Sequence, residues 1–579
     1  MLNIKNMISE SIAQSVKDIN ADASLEISDI VSMLEYPPDE KMGDLALPCF
    51  KLSKTLRRSP AQIAQALCEG MSLPCVARAE AVNGYLNIFL DGAYLASRVI
   101  PETRDKGDRY GAPEELGKGK TVVLDYSSPN VAKPFHIGHL GTTVIGHSLK
   151  MLHEFAGYKC VGINYLGDWG TQFGKLITAY RLWGDKEKIE EGGVDALVEL
   201  YVKINNAISG NEEQGIPADP SLADESRREF RKLEEGDAEN IALWKWFVEI
   251  SLKEYQKTYA QLGIEFDSYK GESFYTDKMP AQVQKLRDAE LLKIDDGASI
   301  VDLEEYGMPP CLILKRDGST LYPTRDIAAA VYRKETYDFD KAIYVTSAGQ
   351  SLHFAQWFKV VELMGYDWAD KLVHVPYGTV SINGAKLATR TGNVILLRDL
   401  FALAIEKVAA IMEEKNPNIE NKEKTAEAVG VGAVIFYYLS NNRIRDINFV
   451  MEDALSFDGN TGPYVQYTYA RTCSVLSKSG EYDKNAELLI TSEDETSLLK
   501  TLSRFEEVVR DAIDAYEPSI ITRYILDVAG AYNRFYHNCS ILGAENEQVK
   551  NTRLAITEAT KTVLGNAFGL ICLKKTEKI

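Results

Sequence analysis

Strand-like and helix-like segments alternate through the middle of this chain, and this alternation limits its fold more than any other feature. The strand-like runs are TVVLDY, KCVGINYLG, CLILKR, KAIYVT and LVHVPYG. Longer runs with helical periodicity separate them. Alternation of this kind predicts an α/β fold with a mostly parallel, doubly wound sheet. Ligands bind such sheets in the crevice beyond the carboxyl ends of the strands.

The chain has 579 residues, which is too long for one hydrophobic core, because single cores stop growing at roughly 250 to 300 residues. We expect an N-terminal α+β domain over 1–112 and a central Rossmann-type domain over 113–400, with a helical insertion at about 184–300. An all-α domain follows over 401–579, with its core at about 460–579. The chain from about Leu400 reads as entirely helical.

Composition excludes several classes of protein. Hydrophobic residues make up 45% and charged residues 26%, and no apolar run is long enough for a membrane span. A net charge of −19 argues against indiscriminate coating of nucleic acid. The eight cysteines form no Cys-x-x-Cys pair, which argues against zinc and a disulfide framework. With no signal peptide in the first residues, we expect a cytoplasmic protein.

The helical insertion carries an aromatic and aliphatic stripe at spacings of three and four residues. That spacing is typical of a helix packed on a core, so the stripe is assigned to packing rather than to chemistry. Its members are Trp244, Phe247, Val248, Leu252, Tyr255, Tyr259 and Leu262.

The stretch SSPNVAKPFHIGHL follows the first strand and leads into a helix. His136 and His139 are three residues apart, so both side chains can hydrogen-bond one polyphosphate or ribose. Gly138 lets a nucleotide approach the backbone, and Lys133 can neutralise charge on a leaving pyrophosphate. Helix N-termini attract phosphate. The alternative is that the histidines only cap the helix and form surface hydrogen bonds.

This stretch resembles the ATP-binding signature of class I aminoacyl-tRNA synthetases, in the form found in arginyl-tRNA synthetases. Further segments resemble that family in the right order: NYLGDWGTQFG, LYPTRDIAAA, TSAGQSLHFAQ and TGPYVQYTYAR. The resemblance implies ATP-dependent activation of L-arginine to arginyl-adenylate and its transfer to the 3′-terminal ribose of tRNA(Arg), releasing AMP and pyrophosphate. It implies ATP with Mg²⁺ as substrate and no tightly bound cofactor.

A guanidinium needs a well-placed carboxylate with another acceptor nearby. Asp326, in the opening turn of a predicted helix beside Tyr322, qualifies, and Asp125 at the end of the first strand could supply a second carboxylate. The resemblance implies that these three residues hold the arginine side chain, while Asn130 and Gln350 hold its α-ammonium and carboxylate. In isolation, Asp326 would be a helix N-terminal charge and Tyr322 a core aromatic.

The resemblance also implies nucleotide-side roles for His353 and Gln356, which could otherwise be ordinary polar groups on a helix. The family's second signature, Lys-Met-Ser-Lys, corresponds here to KLATRTGNVI. Thr389 stands in place of the second lysine, and Lys133 occupies the position of a lysine thought to compensate. Whether Lys386, Arg390 or Lys133 carries most of the phosphate charge stays open.

Aromatic and basic residues on the C-terminal helices suit base stacking and phosphate contact, although most such stripes are core. By resemblance, the C-terminal domain binds the anticodon and the first domain contacts the tRNA elbow. The residues assigned to tRNA are Tyr85, Asn87, Tyr464, Tyr467, Arg471 and Tyr532.

The resemblance implies arginyl-tRNA synthesis, and we expect the protein to be a monomer. Two alternative functions stay open. One is a different ligase or nucleotidyltransferase with the same His-x-Gly-His signature, which would not need the C-terminal aromatic helices or the pair of Tyr322 and Asp326. The other is a tRNA-binding protein that has lost catalysis. Loss of the second signature lysine supports the latter. The residues that argue against it are the intact His136, His139, Asp326 and Gln350.

Overall fold

The computed structural model describes residues 1–22, 25–212, 215–382, 385–386, 395–415, 417 and 419–579, with the side chains of residues 40, 385 and 386 left out. The first part of the chain forms a three-stranded antiparallel sheet, ordered β1, β3, β2, with helices packed on it. Its elements are α1 (Leu2–Ile19), α2 (Ile27–Met33), β1 (Leu45–Pro48), α3 (Ser53–Leu56), α4 (Pro60–Glu69), β2 (Val76–Val82), β3 (Tyr85–Leu90) and α5 (Gly92–Lys106).

The central part holds the predicted alternation of strands and helices. Its elements up to the insertion are β4 (Thr121–Asp125), α6 (Leu140–Phe155), β5 (Lys159–Ile163) and α7 (Thr171–Trp183). The insertion contributes α8 (Lys186–Ser209), α9 (Ser221–Glu234), α10 (Ala238–Leu262) and α11 (Met279–Asp288). The remaining elements are β6 (Leu292–Asp295), β7 (Ala298–Val301), β8 (Cys311–Leu314), α12 (Tyr322–Tyr337), β9 (Lys341–Ser347), α13 (Ser351–Leu363), β10 (Leu372–Tyr377), β11 (Val380–Ile382) and β12 (Ala385–Lys386).

Four strands form the parallel sheet, in the order β10, β9, β4, β5. Both of its faces are covered. Val122 and Leu124 of β4 belong to a hydrophobic core on the side of α6, whereas Val123 belongs to a second core with α12 and α13. Alternate residues of one strand therefore serve opposite cores, as the two-residue period of a strand requires. The predicted Rossmann-type doubly wound sheet is confirmed.

One strand lies elsewhere than predicted. The run CLILKR forms β8, which pairs antiparallel with β7 in a separate three-stranded sheet with β6. The expectation that it belongs with the other strand-like runs was wrong, because an apolar run specifies a strand but not its pairing partner.

The C-terminal part is a helical bundle. Its elements are α14 (Leu397–Lys415), α15 (Lys422–Leu439), β13 (Ile447–Phe449), α16 (Met451–Ala454), α17 (Gly462–Ser479), α18 (Glu493–Ser503), α19 (Phe505–Asp514), α20 (Ser519–Asn538) and α21 (Glu547–Gly569). The expectation of an entirely helical segment was wrong at β13, which pairs in parallel with β11. Among the helices described, none is long and apolar enough to cross a membrane.

The sheet reverses its strand order between β4 and β9. From β4 the chain proceeds to β5 on one side, and from β9 it proceeds to β10 on the other. In a doubly wound sheet, the crevice for ligands opens at the carboxyl ends of the two strands where the order reverses. The fold therefore predicts a ligand site at the loops that follow β4 and β9.

Candidate functional site

A cavity of about 570 Å³ lies at this reversal point. Seven residues singled out from the sequence line it together with Glu272 and Arg333, which the sequence did not single out. The seven are Asp125, Asn130, His139, Tyr322, Asp326, Gln350 and His353. Loops and helix ends from three parts of the central domain thus meet around one space large enough for a small ligand.

The loop after β4 has a strained backbone. Ser127, Ser128 and Ala132 have φ angles of 69°, 47° and 58°, in the left-handed region that side chains other than glycine rarely adopt. Each such residue costs about 1–3 kcal/mol and persists only where the surroundings hold it. Strain of this kind concentrates at functional sites, which fits the loop's place on the cavity wall.

The two signature histidines lie in the turn that precedes α6. The N–H of Gly138 donates to Nδ1 of His136 at 3.1 Å, and the N–H of His136 donates to Nδ1 of His139 at 3.2 Å. Burial lowers the pKa of His136, and burial with the neighbouring His136 lowers the pKa of His139 to about 3. Both imidazoles are therefore neutral near pH 7. Because each Nδ1 accepts a hydrogen bond, each ring carries its proton on Nε2, ready to donate.

Asp326 is the fifth residue of α12, just past the first turn in which it was expected, and it faces the cavity. Its Oδ2 contacts Nε2 of His353 at 2.7 Å. No lysine or arginine of the described residues forms an ion pair with it. Tyr322 begins the same helix and is 66% exposed at the cavity rim, rather than a core aromatic. The arrangement offers a carboxylate and an aromatic face to a cation.

Asp125 has a partner that the sequence did not reveal. Its Oδ2 lies 2.8 Å from Nη2 of Arg333, which is 1% exposed, and Ser128 donates to its Oδ1 at 2.9 Å. Burial raises the pKa of the Asp125 carboxyl, and the Arg333 guanidinium opposes that rise. Asp125 was expected to supply a second carboxylate to the arginine side chain, but Arg333 already pairs with it.

Replacing Arg333 with methionine should lower the free energy of unfolding by about 3–5 kcal/mol, because Asp125 would be left as an unpaired buried charge. Urea unfolding measures this loss. The double variant D125N/R333M should recover most of it. Arg316→Met is the matched control, since Arg316 pairs with Asp296 at the surface and should cost less than about 1 kcal/mol. Equal losses for the two single variants would contradict the assignment.

A second ion pair lines the cavity beside Asp326. Nη1 of Arg325 lies 2.6 Å from Oε2 of Glu272. Burial, with a contribution from Asp326, raises the pKa of Glu272 to about 7, while Arg325 opposes the rise. Sequence reasoning missed Glu272, since a single glutamate between Gly271 and Ser273 matches no motif.

Lys133 and Gln356, which the resemblance assigns to ATP, do not line the cavity. Lys133 is exposed at the end of the strained loop. Gln356 donates from Nε2 to the carbonyl of Pro309 at 2.8 Å, turned away from the cavity. Arg390 lies outside the described residues, and of Lys386 only the backbone is described, in β12.

Some of the residues assigned to tRNA are exposed to solvent, and others are buried. Tyr467 is 43% exposed, and the guanidinium of Arg471 lies 5.1 Å from its ring and 4.9 Å from that of Tyr536. This cluster is open to a partner. Tyr532 is fully buried, so its assignment to base stacking is corrected. Their helical spacing in the sequence showed that these aromatic residues lie on the same face of a helix. It did not show whether that face is exposed or buried.

Three further residues from that set lie at the surface or just below it. In the first domain Tyr85 is 38% exposed, whereas Asn87 is 8% exposed within β3, so the proposed contact of Asn87 with a nucleotide is corrected by its burial. Tyr464 is half-buried and accepts a hydrogen bond from Nδ2 of Asn533 at 2.9 Å.

The chain matches three family models along its length. Residues 106–451 match tRNA synthetases class I (R), catalytic domain. Residues 465–579 match the DALR anticodon binding domain, and residues 3–90 match the arginyl tRNA synthetase N terminal domain. Fold, signature turn and catalytic model together define a class I aminoacyl-tRNA synthetase, a ligase that forms aminoacyl-tRNA.

Similar proteins specify the family within this class. The chain is 49% identical over 582 residues to the arginine–tRNA ligase of Alkaliphilus metalliredigens and 47% identical over 581 residues to that of Clostridium perfringens, each time across the whole of both chains. The solved arginyl-tRNA synthetase of Thermus thermophilus superposes with a TM-score of 0.83 at 25% identity, covering 99% of this chain and 100% of that one. The chain belongs to the arginyl-tRNA synthetase family.

Proposed function

We propose that this chain activates L-arginine with ATP in the cavity described above and transfers the arginyl group to the 3′-terminal ribose of tRNA(Arg). The pairing of the cavity's carboxylates supports its assignment to arginine. Of its three carboxylates among the described residues, Asp125 and Glu272 are paired with arginines, whereas Asp326 is not. A substrate guanidinium would complete that pattern, because a planar donor can bind a carboxylate with two hydrogen bonds.

The remaining polar groups of the cavity suit the other end of the amino acid. Asn130 and Gln350 approach from the loops after β4 and β9 and offer amide donors and acceptors. We assign them to the α-ammonium and carboxylate of arginine. His353 is assigned to orient Asp326 through the 2.7 Å contact, rather than to bind the nucleotide directly.

The activation step needs alignment and charge stabilisation rather than a base. The carboxylate of arginine is already ionised when it attacks the α-phosphate of ATP, and pyrophosphate leaves. His136 and His139, as neutral donors through Nε2, stabilise the charge that develops on the phosphates, and Lys133 adds a cation. ATP enters as its magnesium complex, so the metal comes with the substrate. Lys386 and Arg390 complete this assignment from the second signature.

The outer domains provide surfaces for tRNA. We assign the exposed Tyr467 and the half-buried Arg471 beside it to the anticodon side, and Tyr85 to the elbow of the tRNA. We retain the domain bounds 1–112, 113–400 and 401–579, and we expect a cytoplasmic monomer. Aromatic side chains stack on bases, and arginine contacts phosphate.

The pH dependence of the KM for arginine tests whether the cavity binds arginine. Burial raises the pKa of Glu272 to about 7. The cationic guanidinium binds better while Glu272 is ionised, so the KM for arginine should rise as pH falls below about 7, by at most about tenfold per unit. In the variant E272Q, the KM for arginine should no longer rise in this way as pH falls from 8 to 6. A wild-type KM that stays constant over that range would contradict the prediction.

Aminoacylation tests the function as a whole. The purified protein should charge a tRNA(Arg) transcript with radiolabelled arginine in the presence of ATP and magnesium, and it should leave a tRNA for lysine uncharged. Failure to charge tRNA(Arg), with arginine and ATP saturating and the protein folded, would overturn the proposal.

A further inference from the structure

Helix α10 of the insertion contacts the strained loop after β4 through one face. Three of its residues, spaced by four, each meet a different point of that loop. Oγ of Ser251 accepts a hydrogen bond from the N–H of Ala132 at 3.0 Å, and the hydroxyl of Tyr259 lies 2.8 Å from Oγ of Ser127. Both contacts involve residues with left-handed backbone. Helix α10 thus supplies the support that such a backbone requires.

Tyr255 makes the central contact of this face. Its hydroxyl donates to the carbonyl of Asn130 and to that of Lys133, each at 2.8 Å. One proton is shared between two carbonyls three residues apart, so the hydroxyl fixes the span between them. The side chain is fully buried, and burial raises the pKa of the phenol, which therefore remains a donor at any physiological pH.

The ring of Tyr255 extends the contact to the signature histidines. Its centroid lies 5.5 Å from that of Phe135, and Phe135 stacks on His139 with centroids 5.1 Å apart and an interplanar angle of 8°. One side chain of α10 therefore contacts the peptide groups of Asn130 and Lys133 and the ring that supports His139. A buried phenol hydroxyl needs an acceptor, and both acceptors here are carbonyls of the strained loop.

We propose that Tyr255 is a positioning residue for amino-acid activation. Its hydroxyl holds the Asn130–Lys133 segment so that the side chains of Asn130 and Lys133 meet arginine and ATP. The proposal rests on the proposed function for the roles of those two residues. Residues of the stripe on α10 therefore pack in the core and also hold the loop that carries Asn130 and Lys133. The insertion thereby positions residues that bind the substrates.

Tyr255→Phe tests this with the whole enzyme, because it removes one oxygen and keeps the ring. In arginine-dependent pyrophosphate exchange with tRNA(Arg) present, we expect kcat to fall by about tenfold, while the thermal midpoint stays within a few degrees of the wild type. Tyr180→Phe is the matched control, since Tyr180 lies in α7 against Trp246 and Phe247. It should leave kcat unchanged.

Double-mutant cycles separate positioning from general support of the fold. Y255F combined with K133A or with N130A should lower kcat by less than the product of the single effects in at least one cycle, because the hydroxyl acts through those residues. Full additivity in both cycles, or an unchanged kcat for Y255F, would overturn the proposal and leave the proposed function intact. Absence of exchange in the wild type would instead count against the proposed function.

Discussion

Replacing Asp326 with asparagine is expected to lower kcat/KM for arginine in pyrophosphate exchange by about 1,000-fold. The variant removes the one cavity carboxylate of the described residues that has no arginine partner, and a buried charge pair with the substrate is worth about 4 kcal/mol. The loss should fall on arginine more than on citrulline, its neutral counterpart, so that the preference between the two collapses.

The control for this variant lies just past the C-terminal end of the same helix. Asp338 follows the last residue of α12, with a side chain 91% exposed beside Lys334, and D338N removes the same charge far from the cavity. It should leave kcat/KM within about twofold of the wild type, since a surface ion pair contributes little. A D326N enzyme that retained the wild-type preference for arginine over citrulline would remove Asp326 from the binding site.

Replacing His139 with alanine is expected to lower kcat by about 100- to 1,000-fold with little change in the KM for arginine. The ring supplies a neutral Nε2–H donor to charge that develops only in the transition state. Glutamine can place an amide N–H near the position of Nε2, so H139Q should retain more activity than H139N, whose shorter amide stays near Nδ1. The loss should be the same at pH 6.5 and pH 8, because the lowered pKa keeps the ring neutral at both.

His537→Ala serves as the control for the histidine series, since His537 is exposed near the end of α20. It should leave kcat unchanged at saturating tRNA. If H139A retained wild-type kcat, or if its loss appeared only at low pH, the assignment of His139 as a neutral donor would fail.

The sequence predicted the sheet and the signature turn because both depend on local patterns. Strands and helices alternate with clear periods, and a strand followed by a Gly-containing turn and a helix needs few residues to specify it. The helix that carries Tyr322 and Asp326 was found in the same way, because Pro323 marks its start. Their assignment to the arginine side chain came from the family resemblance.

The ion pairs of the cavity were not predictable from those patterns. Arg333 and Asp125 are 208 positions apart, and a lone arginine in a helix reads as a surface residue. Pairing across such a distance is decided by how α12 packs on β4, which no local period encodes. Tyr255 was assigned to packing for the same reason. Its spacing revealed a buried face but not the carbonyls that the face would meet.

Pyrophosphate exchange with labelled ATP shows which amino acid the cavity activates. The assay should cover a panel of amino acids, each with and without tRNA(Arg). We expect exchange with arginine alone, appearing when the tRNA is added. Exchange supported by a different amino acid, with none for arginine, would contradict the assignment of the cavity to a guanidinium.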